Sequence, residues 1–218
     1  MAQITAFVSE KGGVGKSTAV QNTAVQRARK GRRVLVLDAD PQRTTKKWAD
    51  RRALAGHMPA ILCIEVRASQ MPAVLEKYDD QYDEIIIDTG GADSTEMRLA
   101  LTFADVVVCP CQPSQADIET LENINGLLGK TKAERPELRA HIVNFQAPTH
   151  VHSTASEEMA NFCKLFDNLP LLNSVVCDRQ PFKDALRDGL GVVELPVNKL
   201  TLKAICEIEA LEKEVWND

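Results

Sequence analysis

Residues 10–18 read E-K-G-G-V-G-K-S-T, a glycine cluster closed by a lysine and two hydroxyl side chains. Gly12, Gly13 and Gly15 allow the backbone to curl, so that successive N–H groups, from Gly12 through Val14 to Thr18, converge on an anion. Lys16 is placed to reach the outer oxygens of a polyphosphate, and the Ser17 hydroxyl is placed to ligate Mg²⁺. Two apolar runs elsewhere end in carboxylates. R-V-L-V-L-D closes on Asp38, with Asp40 following in D-A-D-P-Q, and D-E-I-I-I-D closes on Asp88. An open α/β sheet binds its ligands at the carboxyl ends of its strands, and Asp88 is suited to hold Mg²⁺ through water. The chemistry implied is phosphoryl transfer, which depends on positioning and charge.

That chemistry requires a strand entering the glycine turn and a helix leaving it. Residues 4–8 form a short apolar, β-branched run, and 19–29 read as a helix. Strands are expected at 33–38, 60–65, 83–88, 105–110, 139–145 and 171–176. Helices are expected at 43–55, 69–78, 95–103, 114–132 (capped by Ser114), 157–167, 181–188 and 199–215. Residues 146–156 read as a polar loop and 192–195 as a brief apolar segment. Such alternation predicts a single α/β domain over 1–218, a mostly parallel sheet with helices on both faces.

Composition narrows the function classes. A net charge of -5 argues against nucleic-acid binding over the whole surface but permits a local basic patch. Six cysteines are scattered, and only Cys109 and Cys111 lie close, as C-P-C, without a second pair at metal spacing. They read as buried reduced thiols. His150 and His152 lie in a polar stretch with no third ligand nearby and read as solvated. No apolar run is long enough to cross a bilayer, and the N-terminus enters its first strand without a charged-then-apolar leader. A cytoplasmic location is expected.

The general phosphate-loop pattern places a glycine where Glu10 stands, and Lys11 follows it. K-G-G-V-G-K-S-T resembles the deviant Walker A motif of the ParA/MinD family of dimerising ATPases, within the wider P-loop NTPase fold. The resemblance implies that Lys11 reaches across a dimer interface to the partner's nucleotide. It implies that D-A-D-P-Q is the first switch, in which Asp40 positions the attacking water beside the Mg²⁺. D-T-G-G at 88–91 resembles the second switch, with Gly90 where many relatives have proline, so a more mobile loop is expected. C-P-C-Q-P-S-Q-A-D at 109–117 resembles the segment that shapes the dimer face and nucleotide pocket. Asn144 falls where relatives often place a group that reads adenine, although Phe145 and Gln146 depart from the commoner strand-end sequence.

Residues 173–195 resemble the family's C-terminal segment, whose basic residues meet DNA in some relatives. The candidates are Arg179, Lys183 and Arg187, with Lys199 and Lys203 beside them. The resemblance implies an ATP- and Mg²⁺-dependent homodimer that binds non-specific DNA, associates with the nucleoid and segregates plasmid or chromosomal DNA with a ParB-like partner. Three alternatives share the motifs: positioning of a protein cargo on the nucleoid, a MinD-like membrane ATPase, and a metabolic P-loop ligase. The tail 205–218 is acidic, so an anionic membrane would repel it and no membrane partner is expected.

Overall fold

The computed structural model describes residues 1–112, 115–149 and 154–216. Seven strands form one sheet in the order β3-β2-β4-β1-β5-β6-β7. They are β1 (Gln3–Ser9), β2 (Val34–Ala39), β3 (Leu62–Glu65), β4 (Glu84–Gly91), β5 (Val106–Cys111), β6 (Arg139–Ala147) and β7 (Leu171–Cys177). Every pairing is parallel. Parallel pairing requires crossovers, and helices supply them. Among the described residues these are α1 (Lys16–Arg29), α2 (Thr44–Leu54), α3 (Met71–Tyr78), α4 (Thr95–Phe103), α5 (Gln115–Glu134), α6 (Thr154–Cys163), α7 (Gln180–Arg187) and α8 (Lys199–Trp216).

The central strands read as continuous apolar runs because both faces of the sheet are covered. Leu35, Leu37, Ile85 and Ile87 join one core with residues of α3, α4, α5 and α6. Val34, Val36, Ile86 and Val108 join the other with residues of α1, α2, α7 and α8. The expected architecture is therefore present. The polar loop is shorter than expected, because β6 runs on to Ala147 and α6 begins at Thr154 rather than 157. The brief apolar segment at 192–195 contains a 3-10 turn, Val192–Glu194. Ser114, His150 and His152 lie outside the described residues.

The last helix is built into this core. Ala204, Ile208, Leu211, Val215 and Trp216 of α8 are buried, so its apolar face meets the sheet. Its buried Glu212 accepts from Arg27 Nη1 at 2.6 Å and from Lys30 Nζ at 2.6 Å, and the Arg27 guanidinium lies 5.3 Å from the Trp216 ring centroid. No helix among the described residues is long and apolar enough to cross a membrane.

Candidate functional site

The carboxyl ends of β1, β2 and β4 open into a cleft of about 620 Å³. Three segments line it: the glycine turn from Gly12 to Thr18 except Val14, the turn from Ala39 to Gln42 with Thr44, and Gly90 to Ala92 with Ser94 and Glu96. Gln146 closes one side.

The glycine turn forms as its composition predicts. Gly13 and Gly15 adopt φ of 82° and 94°, values that side chains other than glycine rarely reach. Val14 is buried, 2 % exposed, which turns the loop's polar backbone outward. No side chain caps α1, so its first N–H groups face the cleft with the positive end of the helix dipole. Gly15 has a second reason to be glycine. A Cβ there would lie 2.4 Å from Phe145 Cδ1, so the β6 aromatic that departed from the common pattern is packed beneath the loop.

Lys16 is 6 % exposed and its Nζ donates to the Lys11 carbonyl oxygen at 3.1 Å. Burial lowers its pKa, while the charges of Asp88 and Asp40 oppose that shift. Lys11 itself is half-buried at the mouth of the turn and does not line the cleft of its own subunit.

Asp38 and Asp88 sit side by side, because β2 and β4 pair with these residues in register. Both are fully buried. Asp38 is satisfied by the Asp40 N–H at 3.0 Å and the Lys46 N–H at 2.7 Å. It therefore ties the turn and the start of α2 to the sheet. Asp88 Oδ2 accepts from Thr45 Oγ1 at 2.6 Å, and Thr45 Oγ1 in turn accepts from Gln21 Nε2 at 3.0 Å. Asp88 Oδ1 has no hydrogen-bond partner of normal geometry. Burial pushes the Asp88 carboxyl up to about 7, reinforced by the neighbouring Asp38 charge, while Thr45, Ser17 and Lys16 pull it down. A buried oxygen left open next to a serine hydroxyl and a lysine fits a hydrated divalent cation.

Asp40 lines the cleft, and its Oδ1 accepts from the Gln42 N–H at 2.9 Å. The second switch meets the glycine turn directly. A Cβ on Gly91 would stand 2.7 Å from Gly12 Cα and Gly12 N, whereas one on Gly90 would make only ordinary contact with Pro41 at 3.5 Å. The residue the fold requires to be glycine is thus Gly91.

The remaining candidates fare unevenly. Asn144 is buried at 3 % exposure and does not line the cleft, where Gln146 stands instead. Gln146 holds φ of 56°, and its side chain bonds Gln112. Cys109 and Cys111 are buried thiols outside any disulfide, and no three-residue metal cluster occurs among the described residues. Arg179 is a correction. Its Nη2 and Nε donate to Glu207 Oε1 at 2.6 and 2.9 Å, and the pair is 16 % exposed on each side, so this arginine anchors α7 to α8 rather than facing solvent. Lys183 and Arg187 are exposed, but Lys183 pairs with Asp178 at 3.0 Å and Arg187 with Asp188 at 3.2 Å. Sequence reasoning missed Thr45 and Gln21, whose only signal was polarity inside otherwise helical segments.

Residues 5–192 match the CobQ/CobB/MinD/ParA nucleotide-binding domain family. The chain is 34% identical over 122 residues to the maintenance of carboxysome distribution protein A of Gloeobacter kilaueensis, covering 55% of this chain and 53% of that protein. It is 30% identical over 114 residues to protein ParA of Rhizobium radiobacter, covering 52% and 50%. It thus spans about half the length of each of these relatives. The septum site-determining protein MinD of Pyrococcus horikoshii, solved with Mg-ADP, superposes with a TM-score of 0.74 at 18% identity, covering 99% of this chain and 96% of that chain.

Proposed function

The chain belongs to the CobQ/CobB/MinD/ParA nucleotide-binding family, and from that premise we propose that residues 1–218 act as one Mg²⁺-dependent ATPase domain. It dimerises on ATP, binds DNA without sequence preference and segregates DNA with a ParB-like partner in the cytoplasm, at the nucleoid. One observation carries the reading: Lys11 stands at the mouth of the glycine turn, outside the lining of its own cleft, where a second copy closing face to face would meet it.

The N–H groups from Gly12 to Thr18 bind the phosphates. Lys16 exchanges its bond to the Lys11 carbonyl for a phosphate oxygen. Ser17 Oγ and Asp88 Oδ1 would hold Mg²⁺, with Asp40 beside them, and the ion when bound neutralises charge on the phosphates. Asp40 orients water for attack, and the partner's Lys11 adds charge where it develops. Apposed cleft mouths exclude bulk water. Gln146 replaces Asn144 as the strand-end group facing the base side of the cleft.

Light scattering after gel filtration tests this directly. With a slowly hydrolysed ATP analogue the wild-type chain elutes as a dimer and Lys11→Ala as a monomer; a variant that still dimerises defeats the assignment. The similarity to a carboxysome distribution protein supports a second reading, in which the same cycle positions a protein cargo. Plasmid loss at the wild-type rate in cells lacking this protein would favour cargo positioning over partition.

A further inference from the structure

We infer that the phosphate backbone of duplex DNA is met by the outer face of α2, not by α7; this rests on the DNA-binding reading above and relocates its surface. Arg43, Lys47 and Arg51 follow one another at four-residue spacing, so they form one stripe along α2, and all are exposed. At 1.5 Å of rise per residue the cations lie about 6 Å apart and span about 12 Å. Lys46 flanks the stripe, and Arg67 lies at its head, where Glu65 stands 3.5 Å from both Arg43 and Arg67. The carboxylates here are Glu65 and Asp50, with Asp188 near Arg51 at the far end, against five cations: Arg43, Lys46, Lys47, Arg51 and Arg67. That excess is local, since the whole chain carries -5.

Two other basic stretches have a carboxylate for nearly every cation. Around α7, Lys183 and Arg187 face Asp178, Asp184 and Asp188. In the run from 29 to 33, Lys30 pairs with Glu212, Arg32 with Glu84 and Arg33 with Asp83. Phosphate contacts gain by releasing counterions from DNA, and a cation held by its own carboxylate contributes less to that release. Lys47 has no ion pair among the described residues.

The position of α2 adds a physical consequence. Its first turn is bound to the cleft, through Thr45 to Asp88 and the Lys46 N–H to Asp38. The turn that precedes it, closed by the Arg43 N–H on the Asp40 carbonyl at 2.9 Å, lines the cleft. Its far end is clamped: Trp48 Nε1 donates to the Leu190 carbonyl at 3.1 Å, and Arg52 is bound to Glu194 at 2.7 Å. A rearrangement around Asp40 and Asp88 therefore acts on the orientation of the stripe, which links DNA grip to the occupant of the cleft.

Fluorescence anisotropy with a labelled random-sequence duplex, across a salt series and with a slowly hydrolysed ATP analogue, tests the assignment. Lys47→Glu is expected to weaken binding roughly tenfold and to flatten the plot of log affinity against log salt by about one contact per subunit. Lys47→Arg retains binding. Lys183→Gln with Arg187→Gln changes affinity less than about twofold, as does Lys77→Glu on α3, which makes the same change in net charge. Binding of a fluorescent nucleotide reports that each variant is folded. If Lys47→Glu binds as the wild type does, or if the α7 or Lys77 variants lose as much, the α2 assignment is overturned. If the wild-type chain binds no duplex with any nucleotide, the DNA-binding reading itself falls.

Discussion

At the cleft, Asp88 Oδ1 is buried without a hydrogen-bond partner, whereas on α7 each cation expected to meet DNA is held by a carboxylate of its own subunit. Both regions are polar, and both were picked out from the sequence, the first by its residue types and spacing and the second by family resemblance. What separates them is whether the polar groups are already satisfied. A buried oxygen left open costs free energy that a ligand can recover. A surface ion pair is nearly neutral, and a ligand gains little by displacing it. The unsatisfied region is thus the better candidate for binding.

Four predictions test that contrast, beginning with the largest effect. Asp40→Ala should lower phosphate release by about 100-fold or more while fluorescent nucleotide still binds, because a water-positioning carboxylate acts in the transition state. Equal loss of binding would show that Asp40 holds the ground state instead. Next, Gly91→Ala should destabilise the chain by about 1–3 kcal/mol, since its methyl group meets Gly12 backbone at 2.7 Å. Gly90→Ala should be neutral or slightly stabilising, because its neighbours leave ordinary van der Waals space. Urea unfolding of the two variants decides which glycine the fold requires.

On the satisfied side, Arg179→Ala should cost about 1–2 kcal/mol of stability, between the surface and buried limits for an ion pair. Duplex affinity of the folded variant should stay within about twofold of wild type. A selective loss of DNA binding at unchanged stability would return Arg179 to the interface.

The last prediction concerns pH. Folding raises the Asp88 carboxyl from 3.8 to about 7, so the folded chain holds that proton more tightly than the unfolded one. Its contribution to stability is fullest below the unfolded value and is lost as pH rises toward the folded value. Without metal or nucleotide, the wild-type chain should therefore lose a few kcal/mol (about 4 as an upper figure) more than Asp88→Asn between pH 4 and pH 7. Parallel urea midpoints for the two proteins across that range would remove Asp88 as the source.

The alternation of strands and helices was legible because both periods are local, and the strand ends carrying Asp38 and Asp88 followed from apolar runs. The glycine turn was legible for the same reason: nine consecutive residues hold the donors, the lysine and the hydroxyls. The start of α6 was expected at 157 and lies at Thr154.

Sequence by itself determined the phosphate-binding chemistry, because backbone conformation and helix polarity act between neighbours in the chain. Only the tertiary structure decided that Gly91 must lack a side chain and that Phe145 underlies Gly15. It likewise decided that Arg179 belongs to Glu207, while Asp88 keeps one oxygen open. Those outcomes depend on contacts between segments distant in sequence. Whether a charge is satisfied is a property of what lies across the gap, and residue order does not encode it locally.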